Sequence, residues 1–223
     1  MSRSVRGPRL SHVVAPVLLA ALVLLAARPA AAAGPDEARL RAAALAGDAQ
    51  QVRAMGPGAT PSLVRLYASS SDRDKATIAA LFYQLGWKSP EAKRALMADV
   101  HTQDQGLRLQ VQWALGRVSD DPDVVDILLD NMRRDPVPLF RDKAACALAY
   151  DQIHLAPAQK LRLFEGLVGA LDDEKLQVRQ IALQALQILT GQSKGFLPGG
   201  DPETRGRAVA EWRRWVAEYR SNL

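Results

Sequence analysis

The chain has 223 residues, 48% of them hydrophobic and 24% charged, with 29 Lys and Arg against 24 Asp and Glu. These proportions supply a core for one folded domain and exclude intrinsically disordered, fibrous and disulfide-scaffold classes. Aromatic residues make up only 5% while alanine and leucine dominate, which disfavours an all-β fold, because sheets draw on β-branched and aromatic side chains.

The segment 1–33 reads as a targeting signal. Arg3, Arg6 and Arg9 precede an apolar run from Val13 to Ala27, and small residues follow from Ala30 to Ala33. A basic region, a short apolar run and a small-residue site, in that order, mark a signal peptide. Cleavage after Ala33 would leave Gly34 as the new N-terminus, with a site one or two residues away as good. The expectation is an exported protein, periplasmic or secreted. The alternative is an uncleaved N-terminal helix that anchors the chain, disfavoured by Pro16 and by a run shorter than the roughly 20 apolar residues that span a bilayer. No membrane contact is expected beyond this segment. With Arg28 it carries four arginines and no acidic residue, so the remainder holds 25 basic and 24 acidic residues. That balance lacks the basic excess of a nucleic-acid binder, and no nucleic-acid partner is expected.

Residues 34–59 are expected to form an N-terminal helical cap, and a repeat follows. Leu107 to Leu115 (LRLQVQWAL), Phe140 to Leu148 (FRDKAACAL) and Val178 to Leu186 (VRQIALQAL) share an apolar residue, Arg, and a closing Ala-Leu, and Arg73 to Leu81 (RDKATIAAL) matches the second half. Taken on the alanine before the last leucine, the reference positions are Ala80, Ala114, Ala147 and Ala185, two nearly equal steps and a longer third. Between these segments lie others with apolar residues three, four and seven apart, such as Val124, Val125, Leu128, Leu129 and Met132, the spacing of one helix face. Each repeat is therefore a helix pair. Thr60-Pro61, Ser89-Pro90, Asp121-Pro122 and Asp201-Pro202 place a capping oxygen before a proline suited to a first helical turn, and Ala156-Pro157 marks a start without the polar cap.

This pattern of helix, Asp-containing turn and apolar-Arg-x-x-Ala-x-x-Ala-Leu resembles HEAT repeats, in particular the short HEAT-like repeats of bacterial proteins, and the Leu189-Thr190-Gly191 loop leading to Trp212 and Trp215 resembles the ending of exported bacterial HEAT-repeat proteins. The resemblance implies an all-α fold, an α-solenoid of about four helix pairs over residues 60–190, with first helices on the convex side and second helices lining the concave side. A Gly/Pro-rich loop at 191–201 and a capping helix at 202–223 complete the chain, Trp212 and Trp215 laying two rings on the last apolar face. The resemblance also implies a structural ladder in which Arg108, Arg141 and Arg179, with Asp104, Asp135 and Asp173 upstream of them, stitch adjacent repeats together. An arginine row that clamps an anionic polymer is the other reading of that column.

With about 100° per residue and the apolar positions inward, Gln110, Trp113, Arg117, Lys143, Cys146, Tyr150 and Gln184 project on one flank of the second helices. Trp and Tyr beside Arg and Lys is the composition of interaction hot spots; Trp113 packing between repeats is the competing reading.

Motifs for chemistry are lacking. His101 and His154 belong to no two-histidine metal pattern, and no nucleophile elbow, P-loop or C-x-x-C is present. No catalytic residue, metal or cofactor is expected. Cys146 is the only cysteine, so no intrachain disulfide forms, and it reads as a buried inert thiol. The expected function is a non-enzymatic interaction or scaffold module of the cell envelope, a monomer that holds a protein or peptide segment in its concave groove. A HEAT-like lyase or chaperone-type enzyme working through Tyr150 or Cys146 is the alternative, with a nucleic-acid-binding protein behind it.

Overall fold

Prolines and short polar side chains set where the helices begin in the computed structural model, which describes residues 35–223. The stretch read as a signal peptide lies outside the described residues. Ser89 and Asp201 accept a hydrogen bond from the backbone N–H three residues on, each just before a proline that opens a helix. Ser71 and Asp104 do the same without a proline. Two expected caps are used differently. Thr60 lies inside the first turn of its helix, buried, and the residue before it makes no side-chain cap. Asp121 stands at the cap position but gives its carboxylate to Lys93 at 2.6 Å, which holds that carboxyl below the usual range.

The described residues form an all-α stack of eleven α-helices. They are α1 (Pro35–Leu45), α2 (Ala49–Ala54), α3 (Thr60–Ala68), α4 (Asp72–Leu85), α5 (Pro90–Ala98), α6 (Gln105–Val118), α7 (Pro122–Arg134), α8 (Pro138–Cys146), α9 (Pro157–Ala170), α10 (Leu176–Thr190) and α11 (Pro202–Ser221). First helices α3, α5, α7 and α9 each pair with the following second helix, α4, α6, α8 and α10, and the pairs pile into a solenoid. At the N-terminal end α1 packs on α2, α3 and α4, and at the other end α11 lies along α9. The α4 and α10 helices end at Gly86 and Gly191, whose φ of 67° and 73° closes a helix at little cost only without a Cβ. Spacing is uneven along the stack. The second helices α4 and α6 run side by side with α3 packed on α5, whereas at the next junction α6 packs on α8 while the first helices α5 and α7 hardly touch.

Burial fixes the repeat register. The buried positions of α4 (Ile78, Ala79, Leu81, Phe82, Leu85) recur at one constant offset in α6 (Val111, Gln112, Ala114, Leu115, Val118), and at the same offset again in α8 and the turn after it (Ala144, Ala145, Ala147, Leu148, Asp151). The step to α10 is five residues longer, taking Phe140 and Arg141 to Val178 and Arg179. The reference residue in the first repeat is therefore Leu81 and not Ala80, a correction of one residue that the alanine-rich segment conceals from sequence matching.

The same register puts Lys75 in the column of Arg108, Arg141 and Arg179, and each of these buried or half-buried cations reaches into the following repeat. Lys75 Nζ donates to Asp99 at 2.9 Å, and Tyr67 Oη donates to the same carboxylate oxygen at 2.7 Å. Arg108 pairs with Asp135, which is fully desolvated, and lies over the Phe140 ring at 5.0 Å. Arg141 donates to Gln177 Oε1 at 2.6 Å and to the Asp135 carbonyl at 2.6 Å. Arg179 donates to the Asp173 and Glu174 carbonyls at 2.7 and 2.9 Å and to the Pro198 carbonyl at 2.8 Å, tying α10 to the loop before α11. The expected Asp/Arg ladder is corrected at two places. Asp104 is an exposed helix cap, because it stands four residues before its arginine where Asp135 and Asp173 stand six before theirs. Asp173 serves Arg179 through its carbonyl, while its carboxylate accepts the Lys175 N–H and faces Arg133 at 3.7 Å.

Two substitutions probe this packing. Asp135→Ala leaves the Arg108 guanidinium buried without its counter-charge and is expected to lower unfolding free energy by about 3–5 kcal/mol in urea titration, whereas Arg207→Ala, on an exposed pair within α11, should leave the midpoint in place. Gly166 sits where an added Cβ would lie 2.3 Å from Leu129 Cδ1, so Gly166→Ala should destabilise by about 1–3 kcal/mol through overpacking. Part of that loss should return in the double variant with Leu129→Ala, measured as a non-additive cycle.

Candidate functional site

The second helices present a partly exposed flank whose centre is the α4–α6 junction. Tyr83, near the end of α4, and Trp113, in the middle of α6, place their rings 5.8 Å apart at 37°. Arg117, one turn beyond Trp113, lays its guanidinium over the Tyr83 ring at 5.5 Å and donates from Nε to the Tyr83 carbonyl at 3.5 Å. Gly86, just past the end of α4, lies beside this guanidinium, and a Cβ there would stand 3.4 Å from Nη2.

Behind Arg117 is a feature that sequence reasoning misses. The last turn of α8 widens into a π turn, Ala147–Asp151, an arrangement often found at functional positions. It turns the Tyr150 side chain outward at 59% exposure and buries Asp151 at 7%. The Asp151 carboxylate faces Arg117 Nη1 at 3.8 Å. Gly116 makes this possible, since a Cβ on it would come 2.9 Å from the Asp151 Cβ and 3.3 Å from Gln152 Nε2. Gln152 itself donates to the Gly116 carbonyl at 2.9 Å, while its Oε1 is buried without a partner. Burial pushes the Asp151 carboxyl up to about 6, against the pull of Arg117 and Lys88. The signal that reveals Asp151 is the repeat register: Leu85 and Val118 occupy its position in the two preceding repeats.

The expected flank residues fall into the columns of this register. Trp113, Cys146 and Gln184 share one column, Arg117 and Tyr150 a second, Gln110 and Lys143 a third. The structure brings them together in two groups. Trp113 and Arg117 meet around Tyr83, while Cys146 and Gln184 line a dimple of ≈ 10 Å³ between α8 and α10 with Asp142 and Ile188, scarcely room for one water. Lys143 donates to neighbouring Asp142 at 3.0 Å, which holds its ammonium above the usual range. Burial, then Asp142, push the Cys146 thiol up, the opposite of what a nucleophile needs.

Larger hollows lie elsewhere. A trough of ≈ 520 Å³ runs between α1 and the start of α3, edged by the exposed side chains of Asp36, Glu37 and Arg39. Another of ≈ 260 Å³ lies between α9 and α11 beside Arg213 and Arg220. At the end of the stack Trp212 is buried and donates to the Ser193 carbonyl at 3.3 Å, and Trp215 packs edge-on against Phe164 at 4.9 Å. Both tryptophans thus turn inward, with Lys194 over their rings. His101 and His154 are exposed. Among the described residues no three His, Cys, Asp or Glu side chains converge as a metal site requires, and no helix is long and apolar enough to cross a membrane.

Ionised Asp151 opposes folding, because its carboxyl is raised to about 6 from an ordinary value of 3.8. The stability it permits is full below the ordinary value and is lost as pH rises through 6. Asp151→Asn is expected to gain about 1–3 kcal/mol over the parent at about pH 8 and nothing at about pH 4, read as the difference between paired urea titrations across that range.

Comparison with known proteins gives a family model described as HEAT repeats, which matches residues 60–149. Comparison with curated proteins gives no match.

Proposed function

We propose, for a chain that belongs with the HEAT-repeat proteins through residues 60–149, a non-enzymatic interaction or scaffold role in the cell envelope. HEAT repeats often mediate protein–protein interaction. The finer reading is that the partner lies along the second helices, in the concave groove they line. The single observation that carries it is the Tyr83–Trp113–Arg117 platform, an aromatic pair with a half-exposed guanidinium on a shallow flank. Tyr, Trp and Arg are the residues over-represented at binding hot spots, and a flank whose columns recur from repeat to repeat suits an extended segment better than a small molecule. The envelope part rests on the basic, apolar and small-residue order of residues 1–33. A catalytic reading would fall on Cys146 or Tyr150, and the raised thiol of Cys146 speaks against the first.

The test is recovery of a partner from the host's cell envelope with the chain from Gly34, beside a Trp113→Ala/Lys143→Glu variant of unchanged helicity. A protein held by the parent and lost by the variant is the expected result. Equal recovery by both would move the contact to the α1–α3 trough or the α9–α11 side and overturn the groove.

A further inference from the structure

At the Tyr83–Trp113 platform stands a cation, Arg117, whose donors the fold leaves largely unused. Arg108, Arg141 and Arg179 are buried, Arg108 paired with Asp135, Arg141 donating to Gln177 and the Asp135 carbonyl, and Arg179 to the Asp173 and Pro198 carbonyls. Lys143 and Lys88 are engaged at hydrogen-bond distance by Asp142 (3.0 Å) and Asp120 (2.6 Å). Arg117 differs from all of these. Its side chain is 42% exposed, and it makes one long hydrogen bond, from Nε to the Tyr83 carbonyl at 3.5 Å. A guanidinium has five N–H donors in a planar fork that fits a carboxylate with two parallel bonds. Here the fork rests on an aromatic ring, which orients it without occupying its terminal nitrogens.

Asp151 explains why the fork stays in place with no partner bound. It stands in a column that Leu85 and Val118 fill with apolar side chains, and it reaches that position only because Gly116 gives way to its Cβ. A carboxylate so placed offsets the charge of Arg117 yet at 3.8 Å does not take its hydrogen bonds. The groups that bear on it are Arg117 from α6 and Lys88 from the link between α4 and α5, with Cys146 at the end of α8. The pair therefore reads as a poised cation. The charge is balanced from beneath, and the donors remain for a second carboxylate arriving from above.

We propose that Arg117 anchors an acidic side chain, Asp or Glu, of an extended partner segment, with an adjacent apolar side chain of that segment lying against Trp113. This rests on the groove reading of the function and supplies the partner's chemistry. Asp151 acts as the internal counter-charge that the partner's carboxylate competes with. A basic side chain has nothing to offer this fork, because a guanidinium only donates.

The experiment uses a displayed library of random twelve-residue peptides, panned on the chain from Gly34, which carries every described helix and its own core. The enriched peptides are then synthesised and titrated against variants whose helicity matches the parent. The expected sequences share an Asp or Glu next to an apolar residue. They should bind Arg117→Gln at least tenfold more weakly, a loss fitting one charge-assisted bidentate contact. Arg117→Lys should fall between, and Asp151→Asn should bind several-fold more tightly. If Asp151→Asn does not fold, the order parent, Arg117→Lys, Arg117→Gln decides alone. Enriched peptides that lack a carboxylate, or whose affinity is unmoved by Arg117→Gln while Trp113→Ala weakens them, overturn the acidic anchor and leave the groove standing. Peptides indifferent to both Arg117→Gln and Trp113→Ala, or no enrichment at all, overturn the groove reading itself.

Discussion

A guanidinium taken out of water must find acceptors for its donors within a few ångströms, and in this stack each buried arginine takes at least one of them from beyond its own helix pair. Arg108 reaches Asp135, Arg141 reaches Gln177, and Arg179 reaches the Pro198 carbonyl. Lys75 and Tyr67 converge on Asp99 in the first of these steps. A helix pair of this size cannot bury its apolar face alone, so stacking is obligatory. The buried cations add direction to it, since each closes only when the following loop stands in one register. Pairs of this kind contribute more to specificity of arrangement than to net stability, because desolvation offsets much of the attraction. The outer first helices carry a second and weaker set of ties, Lys93 to Asp121 and Asp123 and Arg162 to Asp126, which are exposed and screened by salt.

Packing is uneven along the stack. The second helices α4 and α6 lie in close contact with α3 on α5 beside them, while at the next junction α5 and α7 are joined chiefly by the long side chain of Lys93. Tyr83, Trp113 and Arg117 lie where α4 and α6 meet most closely. The next repeat carries the π turn, which trades regular helical bonding for an outward Tyr150 and an inward Asp151. A buried carboxylate and a half-exposed guanidinium stand beside this shallow aromatic flank, the surface proposed for recognition. The larger hollows at the α1–α3 and α9–α11 sides have exposed charged rims and do not share this geometry.

Several elements are legible in the chain itself. Proline and Ser or Asp signals place the starts of α5, α7 and α11, a bare proline marks α9, and the Arg–Ala–Leu template finds three of the four second helices in correct register. The first repeat escapes by one residue, because its alanines allow two alignments and only burial separates them. Asp104 escapes for a related reason: two residues of offset relative to Arg108 change an aspartate from a ladder member into a helix cap. Tyr83 and Asp151 are invisible to the same search. Each departs from the template, and a template search rewards agreement.

The all-α class, the helix-pair repeat and the flank on which Trp113, Arg117 and Tyr150 project are legible in the chain alone, because periodicity and capping are local properties that about 3.6 residues per turn writes into it. Tertiary structure alone decided which acceptor each buried arginine takes, that Gly116 admits Asp151, and that Arg117 rests on Tyr83 from the preceding repeat. Those outcomes depend on distances between helices and on a π turn whose wider winding rotates everything after it. No local pattern encodes either.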